Sequence, residues 1–187
     1  MIKIGITGSI ASGKTTASKI ISSGNGPLFS ADNVVKKLYV KNSFKKLVSK
    51  KLNFQLNLKF KKKVKNIIFK KENLKMLEKI IHPLVRKQMI VFLDKNKNKK
   101  MLFCEIPLLV ENKLKKYFDV VIFIQSKKSL RLKRYKQKGG NEKLFSLLNR
   151  RQLKDAQKVI FCNHIVVNNS SLDLLKKKLL NIMKLYE

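Results

Sequence analysis

Residues 5–19 read GITGSIASGKTTASK, and they follow directly on the apolar start MIKI. An apolar run of strand length, two glycines in close succession, then a lysine and two threonines mark a strand that turns sharply into a helix. Gly8-Ser9-Ile10-Ala11-Ser12-Gly13-Lys14-Thr15 fits the pattern G-x-x-x-x-G-K-[ST] at every defined position. Glycines let backbone N–H groups turn inward around phosphate oxygens, a lysine at this spacing reaches the β- and γ-phosphates, and the following hydroxyl suits Mg²⁺. The alternative is a glycine-rich turn that happens to carry a surface lysine. The position between a strand pattern and a helix pattern favours the phosphate cradle, and hence a nucleotide as ligand.

Outward from this loop, strand and helix patterns alternate. PLFSAD (27–32) is a short strand ending in polar residues, and Asp32 is placed to open the helix that follows. Residues 41–72 are lysine-rich with apolar residues at helical intervals. The stretch 72–96 is a long amphipathic helix that Pro83 is expected to kink or divide after Ile81. KKMLFCE (99–105) and YFDVVIFIQ (117–125) have the length and β-branched or aromatic content of buried strands, HIVVNN (164–169) is a last strand, and 172–185 a closing helix. Helices are also expected over 127–136 and 142–153, broken at Gly139-Gly140. Alternation of this kind implies an α/β fold with a parallel sheet covered on both faces, its ligand at the carboxyl ends of the strands.

The bulk composition narrows the class. The chain has 187 residues and 44% apolar composition, enough for one compact domain with a sizeable core. No uninterrupted apolar run approaches membrane-spanning length, and no signal pattern opens the sequence, so a soluble, cytoplasmic protein is expected. Cys104 and Cys162 both sit in apolar contexts and are read as buried packing thiols. The formal charge of +33 invites a nucleic-acid reading, yet 39 of the 44 basic residues are lysine and only five are arginine. Base and phosphate recognition favours arginine's planar fork, while abundant Lys, Asn, Ile and Phe match drift toward A- and T-rich codons. No specific nucleic-acid partner is expected, and a monomer is the default.

A phosphate loop specifies a nucleotide and leaves the reaction open. Asp32 after the second strand and Glu105 at the end of the third are the candidate carboxylates. Asp32 can accept or orient the proton of an alcohol, or simply cap a helix. With these residues in view, the chain resembles the dephospho-CoA kinase family almost end to end. The resemblance is carried by IGITGSIASGKTT at 4–16, SAD at 30–32, IIHPLV at 80–85 followed by Arg86, and E-I-PLL-V-E at 105–111. Arg131-Leu132 with Arg134, Arg151-Gln152 ahead of Lys158, and 166–172 extend it. The HP and PLL-x-E segments are the specific part.

The resemblance implies a P-loop kinase fold: a mostly parallel five-stranded sheet flanked by helices, a helical substrate-binding region at about 33–98, and a lid at about 131–152. It implies transfer of the ATP γ-phosphate to the ribose 3′-hydroxyl of dephospho-CoA, with Mg²⁺. Asp32 and Lys14 would be catalytic, and Gly8 through Thr16 together with Arg134 would bind ATP. Asp32, His82, Arg86 and Glu105 would face the acceptor, and Thr15 the metal. His82, beside a helix-breaking proline, could equally cap or bond locally. Departures from the family pattern are Ser9 and Ala11 where glycine is usual, Ser30 and Glu105 where Asp is usual, and Lys61 where Arg is usual. Ser9 and Ala11 fit if their φ angles are negative.

Overall fold

The computed structural model describes residues 1–186, which divide into two compact units: Met1–Phe29 with the chain from Asn96 onward, and Ser30–Lys95. The first unit is built on a five-stranded sheet. Its strands are β1 (Ile2–Gly8), β2 (Leu28–Ser30), β3 (Met101–Glu105), β4 (Val120–Gln125) and β5 (His164–Val167), in the order β2-β3-β1-β4-β5. β1 runs parallel to β3 and β4, and β4 to β5. The central strands are buried along nearly their whole length, which is why they read as continuous apolar runs rather than alternating ones.

Both faces are covered. On one, α1 (Lys14–Ser22) and α9 (Leu172–Met183) bring Ala17, Ile21, Leu175 and Leu179 against Ile4, Ile6, Phe103 and Ile122. On the other, Leu109 and Phe118 lie over Gly5, where an added Cβ would stand 2.7 Å from Leu109 Cδ1. That contact is a packing reason for the leucines of the PLL segment. α6 (Lys128–Gln137), α7 (Glu142–Arg151), the short α8 (Asp155–Val159) and a 3₁₀ turn at Leu114–Tyr117 complete the unit. α8 was not evident in the sequence pattern. α6 and α7 are joined by a glycine turn in which Gly140 abuts the Tyr135 ring, and Tyr135 in turn packs on Phe145 with centroids 5.7 Å apart.

The second unit is helical: α2 (Ala31–Leu38), α3 (Asn42–Lys51), α4 (Phe60–Ile67) and α5 (Lys71–Lys95). Phe44, Val48, Phe60, Val64 and Leu77 form its core, with Tyr39, Phe54, Ile80 and Leu84 packed around them. Burial pushes the Tyr39 phenol up from its ordinary pKa. Two expectations are corrected here. Pro83 does not divide the helix but lies inside α5, which runs unbroken for 25 residues; Leu74 and Leu77 before it and Met89 and Leu93 after it are all buried, so packing on both sides outweighs the missing N–H. Asp32 does not cap α2: Ser30 does, its hydroxyl accepting the Asn33 N–H at 3.4 Å, and Asp32 occupies the first turn. Cys104 is buried as expected, whereas Cys162 is half-buried and donates to the Lys158 carbonyl at 3.3 Å.

Candidate active site

Strand register builds the site. Gly8, the last residue of β1, aligns with Ile124 near the end of β4, and Ile6 aligns with Glu105 at the end of β3. The carboxyl ends of three neighbouring strands thus converge where the loop Gly8–Thr15 turns into α1. Gly8 tolerates no side chain, since a Cβ there would stand 2.3 Å from the Ile124 carbonyl oxygen. Gly13, with φ of 99°, is the residue before α1 and supplies no side-chain cap. Helix-start amides that no side chain caps suit an anion. Ala11 departs from the expected negative φ: it sits at 58°, in the left-handed region that glycine enters freely and alanine enters at a cost of about 1–2 kcal/mol.

Lys14 is buried, not a surface lysine, and its Nζ donates to the Ser9 carbonyl at 3.0 Å. The ammonium is therefore held against the loop. Thr15 Oγ1 donates to Glu105 Oε1 at 2.6 Å, and Glu105 is 1% exposed. A hydroxyl and a carboxylate side by side are hard oxygen donors of the kind Mg²⁺ takes. Among the described residues no group of three or more His, Cys, Asp or Glu could hold a metal, so the remaining ligands of such an ion would come from phosphate and water. Thr16 follows in the first turn of α1, exposed.

Two arginines of α6 brace this loop from behind. Arg131 is buried, donating from Nε to the Ser126 carbonyl at 3.1 Å and from Nη1 to Asn149 Oδ1 at 2.7 Å and the Ile10 carbonyl at 3.4 Å. Burial pulls its guanidinium below the usual pKa, with the Asp155 carboxylate opposing the shift. Arg134 donates to Ser126 Oγ at 3.1 Å, the Asn168 carbonyl at 3.2 Å and, at the limit, the Ser12 carbonyl at 3.5 Å. Beside it a cavity of about 280 Å³ opens between Ala11, Thr16, Arg134, Lys138, Asn168 and Leu172.

Several contacts escaped the sequence reading. Gln152 Oε1 accepts the Ile10 N–H at 2.8 Å, Asp155 accepts the Ser9 hydroxyl, and Asn168 Nδ2 donates to the Ser12 carbonyl at 2.9 Å. Glu111 forms an ion pair with Lys158 at 2.6 Å. The segments containing Glu111, Gln152 and Lys158 were visible as motifs, but their pairing was not. In the second unit, Asp32 is exposed in the first turn of α2, where the helix N-terminus favours a carboxylate. His82 and Arg86 stand one turn apart on α5, His82 half-buried and Arg86 exposed; His82 is mid-helix and so is not a cap. A cavity of about 830 Å³ in the same unit is lined by Tyr39, Lys45, Lys59, Lys61 and Lys62 among others.

Comparison with known proteins agrees with this geometry. The family model described as dephospho-CoA kinase matches residues 2–173. A dephospho-CoA kinase of Rickettsia typhi is 31% identical over 187 residues, covering 98% of this chain and 97% of that protein. One from Bartonella henselae is 32% identical, with coverage of 97% and 96%. Among solved structures, the Campylobacter jejuni dephospho-CoA kinase superposes with a TM-score of 0.64 at 26% identity, covering 99% of this chain and 97% of its own. A shikimate kinase from Bacteroides thetaiotaomicron, at 12% identity and a TM-score of 0.60 over 98% and 97% of the two chains, shares the fold.

Proposed function

Since this chain belongs to the dephospho-CoA kinase family, we propose a division of labour for the reaction that family membership assigns to it, with ATP held by the P-loop unit and the acceptor received by the helical unit. The reaction is ATP-dependent transfer of the γ-phosphate to the ribose 3′-hydroxyl of dephospho-CoA, the last step of coenzyme A synthesis. Lys14 leaves the Ser9 carbonyl and neutralises charge on the β- and γ-phosphates. The adenine occupies the cavity beside Arg134 and Asn168. Thr15 and Glu105 would hold Mg²⁺, which would offset the charge of the phosphate oxygens.

In the acceptor half, Asp32 takes the proton of the 3′-hydroxyl as its oxygen attacks the γ-phosphorus, the new O–P bond forms, and the bond from the γ-phosphorus to the bridging oxygen breaks to release ADP. His82 and Arg86 line the acceptor side, and the lysines around the cavity of the helical unit attract the diphosphate of dephospho-CoA. The protein works in the cytoplasm; no helix among the described residues is long and apolar enough to cross a membrane.

The observation that carries this reading is the pair of contacts in the loop, Lys14 on the Ser9 carbonyl and Thr15 on Glu105. Together they bring an ammonium and two hard oxygen donors to the turn from β1 into α1. ADP formation from ATP, measured with and without dephospho-CoA, is the direct test. Turnover should require the acceptor and should fall on the order of 10²–10³-fold in Lys14→Ala, with the fold retained. Equal turnover without acceptor, or full activity in the folded variant, would contradict it.

A further inference from the structure

Between α7 and α8 the chain makes a short link, residues 152–154, which together with Asp155 at the start of α8 touches the phosphate loop on one side and the loop after β3 on the other. On the loop side, Gln152 Oε1 accepts the Ile10 N–H and Asp155 accepts the Ser9 hydroxyl. On the β3 side, Glu111 Oε1 accepts the Leu153 N–H at 3.1 Å and pairs with Lys158 Nζ at 2.6 Å. Lys158 is wholly buried and its partner nearly so, with side-chain exposures of 0% and 14%. Sliding the link would therefore break a buried ion pair, which makes the β3 side a fixed anchor.

We propose that this link is a strut that sets the front of the phosphate loop, with Gln152 and Asp155 as positioning residues for the ATP phosphates. Ser9 is the residue through which it acts. The Ser9 carbonyl accepts both the Lys14 ammonium at 3.0 Å and the Ser12 N–H at 3.1 Å. Holding the Ser9 side chain thus holds the curl of the loop and the resting place of Lys14 together. Arg131, donating to the Ile10 carbonyl, steadies the neighbouring residue from α6. None of these contacts uses the amides of Gly13, Lys14 or Thr15, so the cradle is braced without being filled. A loop held in shape before ATP arrives loses less freedom on binding.

Asp155 also brings negative charge toward the triphosphate site, which by itself opposes ATP. Bond and charge therefore act in opposite directions, and two substitutions separate them. Asp155→Ala removes both, whereas Asp155→Asn removes the charge and keeps an oxygen for the Ser9 hydroxyl. The proposal rests on the ATP-binding reading of the loop, so equilibrium binding of ATP is measured with no acceptor present; failure of dephospho-CoA as substrate would leave this test readable. Asp155→Ala should weaken ATP binding about 3–10-fold, Ser9→Ala should do the same, and the double variant should be no worse than either. Asp155→Asn should recover affinity to within about twofold of the unsubstituted protein. If Asp155→Ala does not fold, Ser9→Ala against Asp155→Asn decides, since it breaks the same bond from the loop side. ATP binding unchanged or tightened in Asp155→Ala or Ser9→Ala, Asn behaving like Ala, or losses that multiply in the double variant would each overturn the strut.

Discussion

Asp32 carries the main chemical assignment on the acceptor side, and its place in the helix makes that assignment separable from a structural role. The cap of α2 is Ser30, so replacing the Asp32 carboxylate leaves the cap bond to Asn33 intact. What Asp32→Asn forfeits structurally is a charge near a helix N-terminus, on the order of 0.3–1 kcal/mol at an exposed position. If Asp32 accepts the hydroxyl proton, kcat should fall roughly 10²–10⁴-fold, with little change in KM for ATP and a nearly unmoved Tm. Near-normal kcat on dephospho-CoA would overturn Asp32 as the base. Ala11 makes a contrasting case at the same scale. Its φ of 58° was not foreseeable from the sequence, because a residue type reports what a backbone conformation costs and not whether the surrounding loop imposes it.

At the level of elements, the Glu111–Lys158 pair joins the loop after β3 to α8. Lys158→Met removes one partner from an enclosed pair and should cost about 3–5 kcal/mol in denaturant unfolding, while replacing both residues by apolar ones should recover much of the loss. A Lys158→Met protein as stable as the original would show that the pair is idle. The same pair indicates what the sequence makes legible. β1, the loop Gly8–Gly13 and α1 are contiguous, and each local signal in them agrees with the next, so the strand–loop–helix turn could be read directly. β3 and β4 announced themselves through apolar runs, because both their faces are buried. Gln152, Asp155 and Asn168 meet the loop from the far end of the chain, and no periodicity encodes such a meeting. Pro83 misled for a related reason: the local rule breaks a helix there, and only the buried residues on either side of it in α5 reverse the outcome.

Over the whole molecule, the charge of +33 is the property most open to two readings, and salt separates them. Lysine, a compact and strongly hydrated charge, makes up 39 of the 44 basic residues, which suits a general positive field better than base-specific recognition. Such a field draws in anions at long range and fades within a Debye length of about 8 Å at physiological ionic strength. ATP and dephospho-CoA are both polyanions, so kcat/KM should fall as salt rises, through slower encounter, while kcat at saturation stays nearly constant. Binding to a random DNA duplex should follow the counterion-release law, weak at physiological salt, with dissociation constants on the order of 10⁻⁴–10⁻⁶ M, and collapsing above it. Duplex affinity and phosphorylation can be measured over one salt series. Nanomolar duplex binding persisting at physiological ionic strength would mean that the lysines serve a nucleic acid, whereas a salt-sensitive kcat/KM beside a salt-insensitive kcat would mean that they serve the substrates.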